Sequence, residues 1–301
     1  MEELKIKSVK NTLKYYLSVF EEYLSSTREQ RKKRVPDDLF AAMEYSLDAG
    51  GKRLRPILCM AAAERCGCHV NDALPLALGF EMLHTATLIH DDLPCMDNDD
   101  MRRGKPSNHV VFGETMAVLA GDALMACSLE YPLVCIKNIQ PAKLLNAMKI
   151  FSTAIGPRGV CGGQALDMNT TSAEGDSDYV RRIAALKTGA LIKAAILSGA
   201  ALGSDDDFKL NCYAQYGLHL GSAFQIVDDI LDVTSTAEDL GKTPGKDAEQ
   251  GKITHVTVYG MEKARKMAQE ESAMAIKSIS PILGGEDFLC ELAEYLVYRS
   301  N

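Results

Sequence analysis

An all-α fold, one large helical bundle around a central cavity, is predicted by three observations. Apolar residues recur with helical spacing along nearly the whole chain, and no alternating strand pattern of useful length occurs. Ala, Leu and Met are plentiful, whereas β-branched runs are scarce. Two segments, Leu74 to Leu93 and Gly217 to Val233, are apolar on most faces, as helices at the centre of a large bundle are.

The elements follow in order. Val9, Leu13, Tyr16, Leu17, Phe20 and Leu24 predict an opening amphipathic helix, so residues 1–35 read as a helical extension packed on a single domain spanning 1–301. Arg31-Lys32-Lys33-Arg34 is expected to be a solvated helix end before Pro36. From Asp37 onward, helices are separated by brief breaks near Gly50-Gly51, Gly67, Pro94 to Gly104, Gly156 to Gly163, Ser172 to Asp178, Ser204 to Asp207, Gly241 to Gly251 and Gly284-Gly285.

The 301 residues are 47% hydrophobic and 25% charged, which suits a sizeable core and rules out disorder as the dominant state. The formal charge of −8 argues against nucleic-acid binding, which needs a basic footprint. Nine cysteines without a CxxC pair read as reduced, mostly buried thiols. Met1-Glu2-Glu3-Leu4-Lys5 is too acidic for a transit peptide and has no apolar core for a secretory signal. The most apolar stretch, Gly189 to Gly203, is interrupted by Lys193 and is shorter than a bilayer needs. No membrane span and a cytoplasmic location are therefore expected.

Chemistry is concentrated in two acidic clusters inside apolar helices: Asp91-Asp92, with Asp97 to follow, and Asp228-Asp229, with Asp232. Burying unpaired carboxylates costs several kcal/mol each, so a chain that does so twice must supply cations. Asp228 and Asp232 are four apart and share one helical face to within about 40°. Asp91 and Asp97 are six apart, about 240° round an ideal helix. Pro94 should distort or end that helix and let the chain bring Asp97 back towards Asp91. Oxygen ligands without His or Cys favour a hard cation such as Mg²⁺, completed by water and phosphate. Capping and surface charge would explain one Asp pair, but two clusters in apolar helices are hard to explain that way.

Basic groups accompany the acids: Lys52-Arg53-Leu54-Arg55 after Gly50-Gly51, Arg102-Arg103-Gly104-Lys105, Lys187-Thr188-Gly189, Gly241-Lys242-Thr243, Lys246 and Lys252. Beside carboxylate-bound metal they suit phosphate, for which Arg offers a fork and Lys a point charge. Gly241-Lys242-Thr243 is not a P-loop, since Thr236 stands where glycine is required.

The runs Gly51 to Pro56, His90 to Pro106 and Phe224 to Asp232 together resemble the trans-isoprenyl diphosphate synthases, most closely the short-chain farnesyl and geranylgeranyl enzymes, from about Pro36 to the end. The resemblance implies the isoprenoid synthase bundle and a homodimer. It implies head-to-tail condensation of isopentenyl diphosphate with dimethylallyl, geranyl or farnesyl diphosphate by Mg²⁺-assisted ionisation. Asp91, Asp92 and Asp97, with Asp228, Asp229 and Asp232, would hold three Mg²⁺ ions. Arg102, Lys187, Lys242 and Lys252 would bind the allylic diphosphate. Thr188 and Gln225 would sit beside the cationic carbon and, with Lys187, would be the catalytic residues. Lys52, Arg55, His84 and Arg103 would hold isopentenyl diphosphate.

Ala86 and Thr87 would form the chain-length floor. Ala86 stands where related farnesyl enzymes carry Tyr, so a twenty-carbon product is expected over a fifteen-carbon one. Two departures stand out. After Lys252 the family continues Thr-Thr-Tyr-Pro, whereas this chain reads Ile253-Thr254-His255-Val256, and Gly156-Pro157-Arg158-Gly159 differs from the commoner form. Gly163-Gln164 and Asp167 keep the Gly-Gln-x-x-Asp pattern. A terpene cyclase would normally replace the second Asp cluster, and a noncatalytic partner subunit tends to lose one; both clusters are intact here.

Overall fold

In the computed structural model, residues 2–168, 177–234 and 253–298 are described. Two long helices form the centre: α5 (Val70–Asp91) and α12 (Asp207–Thr234). Around them stand α1 (Glu2–Ser26), α2 (Arg28–Lys32), α3 (Asp37–Leu47), α4 (Leu54–Arg65), α6 (Asn108–Phe112), α7 (Glu114–Cys135), α8 (Pro141–Ile155), α9 (Val160–Asp167), α10 (Ser177–Ile183) and α11 (Ala190–Gly203). The helices α13 (His255–Tyr259), α14 (Met261–Leu283) and α15 (Phe288–Tyr298) complete the bundle. Helix α5 packs on α4 and α7, and α12 packs on α11 and α14. Burial explains why α5 is apolar nearly all round: Leu76, Leu78, Phe80 and Leu83 are fully buried although they point in different directions.

Val9, Tyr16, Phe20 and Leu24 of α1 lie in the same apolar core as α4 and α5, so the opening helix is seated by the stripe its sequence displays. The basic run that follows departs from expectation. The Arg31 side chain is not solvated: it pairs with buried Glu44 at 2.8 Å and also donates to the Leu24 carbonyl. All nine cysteines are free thiols; Cys95 and Cys161 are exposed and four others are buried.

Helical structure runs unbroken from Ser177 to Gly203 through a π-helical turn at Ala184–Gly189. That makes 27 residues, so the apolar stretch is longer than the sequence suggested, and by length and composition both it and α7 could span a bilayer. The first is largely buried in the bundle. Helix α7 instead leaves Val118, Leu119, Leu133 and Val134 exposed.

The one sheet among the described residues is a hairpin, Met101–Arg102 against Lys105–Pro106. Its turn residues Arg103 and Gly104 have φ of 53° and 75°, the left-handed pair that a two-residue hairpin turn needs. Such short strands carry no alternation for a sequence reading to detect.

Candidate active site

Helix α5 stops at Asp91, just before Pro94 removes a backbone donor. The chain then folds back on the helix end. The Asp97 amide donates to the Asp91 carbonyl at 2.8 Å, that of Asn98 to Leu93 at 3.1 Å, and that of Asp99 to Asp92 at 3.2 Å. The return predicted from Pro94 is thus made by three backbone bonds. Asn98 takes φ 51°, a conformation Asn tolerates better than most residues.

Asp91, Asp97 and Asp99 on this side and Asp228 and Asp229 on α12 line one cavity of about 730 Å³. Arg55, His84, Arg102, Lys187, Thr188 and Gln225 line it too. Burial pushes the Asp91 carboxyl up to about 6; Asp97 adds to the rise, and Lys187 opposes it. Among the described residues no three His, Cys, Asp or Glu side chains converge on one point. The all-oxygen donors Asp91, Asp97 and Asp228 facing one cavity fit a hard divalent cation that takes its other ligands from water and a bound anion.

Asp92 and Asp232 are placed differently from their neighbours: both are buried and neither lines the cavity. Arg102 grips Asp92 with Nε at 2.9 Å and with its terminal nitrogen, which also reaches Asp99 at 3.4 Å. Asp229 does line the cavity, but its oxygens accept from Gln225 and His255 at 2.7–2.8 Å.

The π-helical turn carries Lys187 and Thr188. A Cβ on Gly163 would overlap the Lys187 backbone, so glycine is required where α9 meets this turn. Lys187 Nζ donates to Asp167 at 2.5 Å, which fixes the ammonium at the cavity wall. Lys242 and Lys252 lie outside the described residues.

Arg55 Nε is buried and has no hydrogen-bond partner among the described residues. Burial lowers the guanidinium below its ordinary value, although Glu81 and Asp228 oppose this. A desolvated donor of this kind asks for an anion. Burial, then Arg55, Arg103, Arg102 and Arg53, hold the His84 imidazole well below its usual range, so it is neutral at pH 7. Arg103 donates to the Gly50 carbonyl, and its guanidinium lies over Gly51, where φ of 126° and a 2.7 Å approach exclude a side chain. Arg103 and Lys52 do not line the main cavity. Arg53, one of the three clustered cations, turns inward to Glu21 and Glu81, each at 2.8 Å. Thr87 lines the cavity, whereas Ala86 is fully buried and does not.

The sequence model of the polyprenyl synthetase family matches residues 36–280. The chain belongs to that family. It is 42% identical over 289 residues to a dimethylallyltranstransferase of Fischerella ambigua, covering 93% of this chain and 84% of that one. It is 41% identical over 270 residues to a chloroplastic geranylgeranyl pyrophosphate synthase of Capsicum annuum, covering 89% and 73%. A geranyltransferase of Helicobacter pylori, solved with magnesium and isoprenyl diphosphate, superimposes with a TM-score of 0.80 at 31% identity, covering 96% and 97%. The protein is thus a short-chain prenyltransferase on the isoprenoid synthase fold, as the three motifs implied.

Proposed function

We propose that this prenyltransferase condenses isopentenyl diphosphate head-to-tail with the allylic dimethylallyl, geranyl and farnesyl diphosphates, with twenty-carbon geranylgeranyl diphosphate as its main product. One observation carries the reading: carboxylates from two helices and the cations Arg55, Arg102 and Lys187 line the same cavity. Three magnesium ions, held by Asp91, Asp97 and Asp228 and completed by diphosphate oxygens, would neutralise the charge that develops as diphosphate departs.

The chain's own groups divide the remaining work. Lys187 and Arg102 receive the leaving diphosphate, with Lys242 and Lys252 as further candidates. Asp92 keeps Arg102 aimed. The allylic cation left behind faces Phe224 and Leu88, which offer no nucleophile, and the dipoles of Thr188 and Gln225. Arg55, His84, Arg103 and Lys52 hold isopentenyl diphosphate, whose double bond attacks the cation; a carbon–carbon bond forms and a proton leaves. A neutral His84 can donate a hydrogen bond without adding to the crowd of arginine charge. The exposed apolar face of α7 suits a second copy of the chain and supports a homodimer.

Incubation with Mg²⁺, isopentenyl diphosphate and an allylic starter tests the reading. Pyrophosphate released only with both substrates supports it. Release from the allylic substrate alone would indicate a cyclase or phosphohydrolase, and no release a noncatalytic subunit.

A further inference from the structure

Asp229 stands next to Asp228 in the second acidic cluster, yet its oxygens are already engaged. Gln225 Nε2 donates to Oδ1 at 2.8 Å. The other oxygen, Oδ2, accepts from the backbone N–H of His255 at 2.8 Å and lies 2.7 Å from its ring Nδ1. Asp229 and His255 are 6% and 1% exposed, so these bonds are largely shielded although both residues border the cavity. His255 is itself held in place. Thr254 caps α13 reciprocally with Thr257, and the His255 ring stacks on Tyr259 with centres 6.2 Å apart.

The geometry points to His255 as a positioning residue that, through Asp229, sets which way the Gln225 amide faces. A carboxylate only accepts hydrogen bonds, so the nitrogen end of the amide must turn towards Asp229 and the oxygen end away from it. Left alone, the terminal torsion of glutamine is broad and nearly two-fold, and the amide would present either end. Gln225 lines the main cavity. The clamp therefore presents its carbonyl oxygen, the negative end of the dipole, to the place where an allylic cation forms. That purpose rests on the prenyl-transfer reading; the clamp itself does not.

The test uses His255→Phe, which removes the ring donor, and His255→Asn, whose side-chain nitrogen stands where Nδ1 does. In the substrate-free protein, the Gln225 side-chain NH₂ signals are assigned by their loss in Gln225→Met. They should form a pair whose hydrogen-bonded proton is shifted and protected from exchange with solvent in wild type and His255→Asn, and loses that protection in His255→Phe. In turnover, His255→Phe should lower kcat roughly 10–100-fold, the range for loss of a supporting partner, with KM for both diphosphates unchanged. His255→Asn should restore most of kcat.

An unchanged NH₂ pair or unchanged kcat in His255→Phe, or a loss expressed in KM, overturns the proposal. Should the Phe variant fail to fold, His255→Asn decides: it must keep both the NH₂ pair and kcat, and losing either overturns the clamp. A wild-type protein that turns over no prenyl substrate would defeat the prenyl-transfer reading, while the NMR result would still judge the clamp.

Discussion

The Asp97 amide donates to the Asp91 carbonyl at 2.8 Å, so two carboxylates six residues apart share the end of one helix. Burial of Asp91, opposed by Lys187 and helped by Asp97, raises its carboxyl from the ordinary 3.8 to about 6. In a metal-free protein a raised acid costs stability as pH rises: the cost is absent below pH 3.8, grows up to about pH 6 and is complete above. Asp91→Asn should therefore stabilise the metal-free chain at pH 7 by up to about 3 kcal/mol. In urea melts the gain should vanish near pH 3.5, and the same variant should be inactive. Equal gains at both pH values would show that Asp91 is not the group being titrated.

Arg102 is predicted to matter twice. Removing it leaves the buried Asp92 carboxylate without its main partner, so Arg102→Gln should cost about 3 kcal/mol in denaturant melts as well as activity. Adding Asp92→Asn should recover much of the stability and little of the activity. If the double variant is no more stable than the single one, the pair is not what anchors the hairpin.

Arg55→Gln should raise KM for isopentenyl diphosphate and leave KM for the allylic substrate nearly unchanged. The expected rise is on the order of tenfold to a hundredfold, from the loss of a charge-assisted fork. Initial rates with each substrate varied in turn provide the check. A shift confined to the allylic KM would move Arg55 to the other subsite.

Ala86→Tyr should shorten the product from twenty to fifteen carbons, read by chromatography of the dephosphorylated prenols. Ala86 is fully buried beside the lining residue Thr87, so a ring there must claim space from the neighbouring helix or the cavity. An unchanged product would remove Ala86 from the floor.

Leu119, 49% exposed on α7, should be a dimer contact. Leu119→Glu is expected to shift sedimentation equilibrium from dimer towards monomer. A wild-type protein that sediments as a monomer would leave the exposed face of α7 without that partner.

The bundle and both acidic clusters were legible because each is written locally. Helical periodicity marks α1 and α5, and Pro94 marks the point where the chain returns to Asp91. The π-helical turn under Lys187 was not legible; the backbone it packs against, at Gly163, lies twenty-four residues earlier. The burial of Arg31 was missed for a similar reason: its partner, Glu44, lies on another helix. Within the acidic clusters, residue type could not say that Asp92 is turned from the cavity towards Arg102, or that Asp229 lines the cavity while held by Gln225 and His255. His255 showed in the sequence only as a departure from a pattern; its bonds to Asp229 become visible when α13 is laid against α12.

The hairpin turn at Arg103-Gly104 sends two adjacent arginines to different addresses, Arg102 to Asp92 and Arg103 to Gly50. A catalyst handling two diphosphates must keep the berth of one from trapping the other. Here the sorting lies in the register of a four-residue ribbon, so one inserted residue would misdirect both deliveries and leave every functional side chain in the sequence.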